Sequence, residues 1–298
     1  MTQPIFAWYK VAGLLFGVST PFPEQMDRIL PSYVPFRQTT PAAPEQRLFT
    51  LTTVPPATLE HVEVTQLLAE DRNDLGRWKL GRTADGFCVD LQYIEGHPWH
   101  RLVADRSFQT IQAGIRWEDI CGSEVLNSFT MMAFAQSAVF YRTALVHSSV
   151  TMKDGIGYAF LGTSGTGKST HSQQWLKYIE DTELLNDDNP AVRIHPDGRI
   201  LVHGTPWSGK TPCYKNKEAH LGAFVLLKQA PHNQFSFLKG IQAYMVLLAS
   251  CSSLKWNTEA YNALGKTIEL LANQVPIGFL ENLPNEAAAR LCYQHVKQ

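Results

Sequence analysis

An α/β fold in the second half of the chain, built on a glycine-rich loop and preceded by a β-rich first half, is what this sequence predicts. Three observations carry that expectation. Residues 160–170 read Phe-Leu-Gly-Thr-Ser-Gly-Thr-Gly-Lys-Ser-Thr, placing Gly162, Gly167, Lys168 and Ser169 in the pattern G-x-x-x-x-G-K-[ST] of a phosphate-binding loop (P-loop). The run 157–161 before it is short, apolar and aromatic, as a buried strand should be. After it, residues 168–180 bring Ser172, Leu176 and Ile179 to helical spacing. A strand before and a helix after are the context such a loop needs. Glycines let backbone N–H groups turn onto phosphate oxygens, Lys168 reaches the outer phosphates and the Ser169 hydroxyl binds magnesium. A helix N-terminus beneath the phosphates adds partial positive charge. ATP and Mg²⁺ are therefore the expected cofactors, on Gly162, Thr163, Ser164, Gly165, Thr166, Gly167, Lys168, Ser169 and Thr170.

Composition narrows the class. The 298 residues suffice for one or two cores, and a net charge of −1 with 44% hydrophobic residues is ordinary for a soluble enzyme. No basic block or aromatic-basic alternation marks a nucleic-acid surface. The longest apolar runs, such as 11–18 and 244–249, fall far short of the ~20 residues that span a bilayer, so no membrane partner is expected. Lys10 before residues 11–18 only faintly imitates a signal peptide, with no A-x-A-like site after it, and the run reads as strand. Five scattered cysteines without a C-x-x-C pair suit reduced thiols and a cytoplasmic location.

In chain order, strands are expected over 6–9, 14–19, 47–53, 62–67, 77–81, 87–94 and 101–104, with Asp85-Gly86 as a hairpin signal and Pro-rich connectors at 21–23 and 40–44. His97 and His100, three apart with a proline between and no other ligand nearby, read as a surface turn. The cluster Glu70-Asp71-Arg72-Asn73-Asp74 reads as a solvated loop. Residues 124–144 follow a helical period and mark a boundary, giving a β-rich domain over 1–122 and a nucleotide-binding domain over 123–298. Strands follow at 145–150 and 157–161, then the loop, its helix, and a strand at 183–188. A hairpin pairs 191–195 with 199–203 across Pro196-Asp197-Gly198. Residues 223–227 form a further buried strand, and helical patterns dominate from 241 onward.

Phosphoryl transfer needs a carboxylate to hold magnesium and, in a kinase, often another to take the proton from the attacking hydroxyl. Asp187 and Asp188, at a strand end nineteen residues after Lys168, supply both. Lys210, beside Gly209 in Trp207-Ser208-Gly209-Lys210-Thr211, suits a second phosphate or an acidic substrate group, with a plain surface lysine as the alternative. His147 reads from the residues alone as a strand histidine bonded to a neighbour. His171, just past the loop, reads as a local packing or capping residue.

From His147 through Gly162–Ser169 to Asp187-Asp188, the sequence resembles the family of HPr kinase/phosphorylase and ATP-dependent phosphoenolpyruvate carboxykinase. The resemblance is greatest to uncharacterised bacterial HPr-kinase-like proteins, on His-Ser-Ser, Ser-Gly-Thr-Gly-Lys-Ser-Thr-His-Ser, Leu-Leu-Asn-Asp-Asp-Asn-Pro and Gly-Thr-Pro-Trp-Ser-Gly-Lys. It covers roughly the C-terminal 150 residues. It implies an α/β P-loop domain of the HPr kinase/PEP carboxykinase type after a β-rich N-terminal domain. It also implies Asp187 as general base, Asp188 as metal ligand and His147 as a metal or phosphate contact. Thr170 stands where HPr kinase has a glutamate, and that kinase's arginine-bearing signature loop has no copy downstream, so HPr is not the expected acceptor.

The expected function is an ATP-dependent kinase passing the γ-phosphate to a hydroxyl of an unidentified small-molecule or protein substrate. Its catalytic residues are Asp187, Lys168 and His147, and its metal site Ser169, Asp188 and His147. Lys210 joins the nucleotide-binding residues. The alternatives are a non-catalytic ATP-binding regulatory protein and a phosphoenolpyruvate carboxykinase. Because the resembled kinases assemble as oligomers, a homo-oligomer is a further expectation.

Overall fold

A computed structural model of the protein describes residues 4–41, 43–73, 76–209 and 211–297. The chain is mixed α/β and forms two compact units, Met1–Ala138 with Leu254–Ala260, and Val139–Ser253 with Tyr261–Gln298.

Among the described residues the first unit holds nine strands: β1 (Ala7–Val11), β2 (Leu14–Ser19), β3 (Arg37–Gln38), β4 (Arg47–Val54), β5 (Gln66–Asn73), β6 (Gly76–Arg82), β7 (Gly86–Gln92), β8 (His100–Asp105) and β9 (Thr110–Gly114). They form one sheet in the order β3-β1-β2-β4-β9-β8-β7-β6-β5, parallel at β2–β4 and β4–β9 and antiparallel elsewhere. Two short helices, α1 (Met26–Ile29) and α2 (Ala57–Glu60), and the long α3 (Gly122–Ser137) complete the unit. Its core gathers Tyr9, Phe16, Tyr33, Phe49 and Phe134, with Phe16 stacked on Phe49 at 4.8 Å and edge-on to Phe134 at 5.9 Å. Because Phe134 belongs to α3, that helix completes the first core, and the units divide at Ala138/Val139 rather than after residue 122.

Local expectations change here. The charged cluster at 70–73 is the end of β5, an edge strand paired with β6, its exposed charges facing water as edges that avoid further pairing do; Asp74 lies outside the described residues. The expected helix over 124–144 stops at Ser137 and passes through a 3₁₀ turn, Ala138–Tyr141. Arg142 then takes φ +51°, and the next residues pair with a distant strand, which no local period reveals.

Of the histidines in His-Pro-Trp-His, His97 closes a part-exposed turn, its N–H donating to the Ile94 carbonyl, but His100 does not belong to a surface turn. His100 is fully buried at the start of β8, and both rings converge on Asp119, His97 Nδ1 donating to Oδ1 at 2.8 Å and His100 Nε2 to Oδ2 at 3.0 Å. The Arg116 N–H donates to His100 Nδ1, which fixes that tautomer. Burial alone would raise the Asp119 pKa, but the bonds from His97, His100 and the Cys121 N–H outweigh it and lower the value from 3.8 to about 2. Ionised Asp119 therefore contributes stability that is complete above pH ~4 and is lost as pH falls towards 2. Acid unfolding of Asp119→Asn should lack this component; if the variant and the wild type lose stability in parallel over that interval, another group is responsible.

The second unit contains β10 (Thr143–Leu145), β11 (Ser148–Lys153), β12 (Ile156–Leu161), β13 (Glu183–Asp188), β14 (Ala191–Ile194), β15 (Ile200–His203), β16 (Glu218–Gln229), β17 (Gln234–Leu238) and β18 (Ile277–Asn282). The strand expected over 145–150 is thus divided between β10 and β11, leaving Val146 and His147 between them. Helix α4 (Lys168–Tyr178) follows the glycine-rich loop, and α5 (Gly240–Ser250), α6 (Thr258–Gln274) and α7 (Glu286–Val296) come later. Sheet order is β10-β14-β15-β16-β12-β11-β13, with β18 pairing with both β16 and β17. Strand β16 runs parallel to β12 and to β18, so all three end at one edge of the sheet.

Helices α4 and α7 cover this part of the sheet through Trp175, Ile179, Cys292 and Val296, which pack on Tyr158, Phe160, Val225, Leu227 and Leu280. Trp175 lies 5.0 Å from the Tyr158 ring, 5.2 Å from Phe160 and 5.5 Å from Tyr293. Its truncation in Trp175→Ala should cost about 3–5 kcal/mol, read as a lower denaturation midpoint at unchanged slope. A midpoint shift corresponding to under ~1 kcal/mol would mean that the sheet and α4 are held together elsewhere.

Candidate functional site

Strand pairing gathers the chemistry. Strand β11 lies between β12 and β13, with Ser148 opposite both Leu161 and Asp188, and Ser149 opposite both Phe160 and Asp187. The start of the loop and the paired carboxylates therefore emerge at the same edge of the sheet, with His147 immediately before β11. A 2.6 Å hydrogen bond between the buried hydroxyls of Ser149 and Ser172 ties β11 to α4.

The loop between β12 and α4 is shaped by its glycines. Gly162 has φ +150°, and a Cβ there would collide with the Thr166 hydroxyl, which itself donates to the Thr163 carbonyl at 2.8 Å. Gly167 caps α4 in the left-handed region at φ +97°, which favours glycine. Thr163, Ser164 and Gly165 form the exposed tip, and Thr170 is exposed in the first turn of α4.

Five sequence-nominated side chains come together here. The Lys168 ammonium donates to the carbonyls of Gly162 at 2.8 Å and Thr163 at 3.3 Å, and to His147 Nε2 at 3.0 Å. With Nε2 accepting, the imidazole proton sits on Nδ1, 2.9 Å from Asp188 Oδ1. The Ser169 hydroxyl donates to Asp187 Oδ1 at 2.9 Å, so the loop serine contacts the first aspartate and not the second. Asp187 is buried, whereas Asp188 keeps about a third of its side chain accessible. Lys210 lies outside the described residues.

Residues not nominated from sequence hold the carboxylates in place. Fully buried Asn186 accepts from the backbone N–H groups of Asp188 and Asn189, and donates to the Thr205 hydroxyl and the Trp207 carbonyl. Asn189 donates to Asp188 Oδ2 at 2.7 Å, and the Gly209 N–H to the Asp187 carbonyl at 2.6 Å. A Cβ on Gly209 would stand 2.8 Å from that carbonyl, which ties the Trp207-Ser208-Gly209 segment to the end of β13. The available signal was an asparagine inside an apolar strand, since a buried amide must find partners. His171 is buried, accepts from Trp175 Nε1 at 3.1 Å, and is kept neutral by burial, with its pKa lowered to about 3.

Chemically, Ser169, Asp187 and Asp188 present hard oxygen donors, the ligand type that magnesium takes, with the His147 imidazole beside them. In the first unit, His97, Asp119 and Cys121 also bring ligand atoms within 4.8 Å of one another. Structural hydrogen bonds account for that trio, and burial, followed by the charges of Asp119 and Glu124, raises the Cys121 thiol pKa and so keeps it protonated. All five cysteines are free thiols. No protein-family model matches the chain, and no curated protein matches it. Among the described residues no helix is long and apolar enough to cross a membrane.

Proposed function

We propose that the second unit is a P-loop domain of the HPr kinase/PEP carboxykinase type, which binds Mg²⁺-ATP in the cytoplasm and passes the γ-phosphoryl group to a hydroxyl. The observation that carries this reading is the convergence of Lys168, Ser169, His147, Asp187 and Asp188 at the loop, from segments up to 41 residues apart in sequence. The motif likeness set out above points the same way. Ser169 and Asp188 would hold magnesium, which neutralises phosphate charge when bound, while His147, with Nε2 taken by Lys168 and its Nδ1 proton facing Asp188, orients that carboxylate rather than binding the ion. Lys168 and the loop N–H groups grip the phosphates. Asp187 takes the proton of the acceptor hydroxyl as its oxygen bonds to the γ-phosphorus and the bond to the β-phosphate oxygen breaks, releasing ADP.

A second allocation of roles draws on the Ser169–Asp187 bond and on the burial of Asp187. In it Asp187 joins Ser169 on the metal, and Asp188, more accessible and backed by His147, is the base. Incubation with γ-labelled ATP and a panel of hydroxyl-bearing metabolites and lysate proteins tests the kinase reading. Labelled product supports it; tight ATP binding without turnover would assign the chain to nucleotide-dependent regulation instead.

Carboxykinase activity is not expected. Stabilising an enolate and gripping two anionic groups calls for arginines facing the phosphates. Beyond Gly162 the arginines are Arg193 in β14, Arg199, paired with Asp197, and Arg290, paired with Glu286. A coupled assay of oxaloacetate plus ATP should yield no phosphoenolpyruvate. A metal-dependent rate above ~1 s⁻¹ that disappears in Lys168→Ala would reverse this conclusion.

A further inference from the structure

We propose that His195, His203 and His220 form a zinc site on one face of the second unit's sheet, with Glu218 supporting it from behind. The histidines belong to three successive strands: His195 directly follows β14, His203 ends β15, and His220 lies near the start of β16. Register puts them on one face. His203 is opposite Glu218, and Leu201, two residues before it, is opposite both Arg193 and His220. Side chains opposite one another or two apart share a face, which adds His195, two residues after Arg193. Along β15, Leu201 lies midway between His203 and Arg199, whose carbonyl accepts from the His195 N–H. The two rings that meet between those levels therefore do so level with His220 on the next strand.

The rings meet nitrogen to nitrogen, His195 Nε2 lying 3.3 Å from His203 Nε2. That is longer than the usual N–H hydrogen bond of about 2.7–3.2 Å. It matches the separation, about 3.3 Å, of two nitrogens bound at about 2.0–2.1 Å to one tetrahedral zinc. His203 Nδ1 stands 3.2 Å from Glu218 Oε2, so its proton faces the carboxylate and Nε2 keeps its lone pair, the arrangement in which a carboxylate orients a metal-binding histidine. Burial first, and then neighbouring charges including that of Arg193, lower the pKa of both histidines, that of His203 to about 3. Both rings are thus neutral at pH 7, as ligands must be. Arg193 opposes a cation here, and the Glu218 carboxylate offsets it. His220 is exposed, so rotation of its side chain supplies the third nitrogen. Three imidazoles leave a fourth position for water and suit zinc rather than magnesium, which takes oxygen.

The test is calorimetric titration of Zn²⁺ into the full chain in excess magnesium, for the wild type, His195→Gln, His220→Gln and Glu218→Gln. None of these three side chains is buried, so the variants leave the core intact, and buried His203 stays untouched. The wild type should bind one zinc equivalent with a dissociation constant of about 10 µM or tighter. His195→Gln and His220→Gln should each weaken that equivalent at least about tenfold, and Glu218→Gln about 10–100-fold, the scale of a lost outer-shell partner. Weaker wild-type binding, or a change of less than about tenfold in either histidine variant, overturns the proposal. Zinc held instead at the loop carboxylates, or by His97, Asp119 and Cys121, would leave all three variants like the wild type and so counts against the site. The outcome is independent of the nucleotide reading, because no nucleotide is present.

Discussion

Lys168→Ala is expected to leave the protein folded, to weaken ATP binding on the order of a hundredfold and to remove turnover. The ammonium stands between the Gly162 and Thr163 carbonyls and His147 Nε2, at the mouth of the loop and outside the apolar core, so truncation removes charge and little packing. Charge-assisted hydrogen bonds to phosphate are among the strongest that a side chain makes, about 1.5–3 kcal/mol each, and losing one or two gives the expected factor. Thermal unfolding should shift little, as for other substitutions away from a core. Calorimetric titration with ATP decides the matter: an unchanged dissociation constant would remove the loop from nucleotide binding and leave the convergence of side chains without a ligand.

Asparagine variants of the two aspartates should separate proton transfer from metal binding. In Asp187→Asn the amide keeps the shape but cannot take a proton, so turnover should fall by about 10²–10⁴ while Mg²⁺-ATP affinity persists. In Asp188→Asn the magnesium requirement should rise, because one hard anionic ligand beside His147 is lost. The Ser169–Asp187 bond makes the reverse outcome equally informative, since a metal defect in Asp187→Asn with a turnover defect in Asp188→Asn selects the second allocation. If both variants lose metal affinity and nothing else, neither aspartate is the base. Magnesium titrations of binding and of initial rate, run side by side, distinguish the three patterns.

Several parts of the site and fold were legible because their signals are local. Gly162, Gly167, Lys168 and Ser169 announce their arrangement through spacing alone, and the run 157–161 and the helix after Lys168 stand where that spacing needs them. The hairpin around Pro196-Asp197-Gly198 and the strand ending in Asp187-Asp188 follow from turn chemistry and short apolar runs. Strand β18 was missed: Ile277-Gly278-Phe279-Leu280 is too short to stand out among helical patterns and becomes a strand by pairing with β16 and β17. The same holds for His100, whose place opposite Asp119 depends on a chain reversal between β8 and α3.

What the sequence by itself determined is the loop, its flanking strand and helix, and the adjacent carboxylates, all features in which a few neighbouring residues restrict the backbone or supply the chemistry. Tertiary structure alone decided that β11 runs between β12 and β13, which sets His147 against Lys168 and Asp188 and Ser169 against Asp187. It also decided that α3 completes the first core and that β12, β16 and β18 run parallel and end side by side. The physical reason is that these arrangements are fixed by apolar burial and strand pairing summed over distant segments, a cooperative quantity that no local window of residues contains.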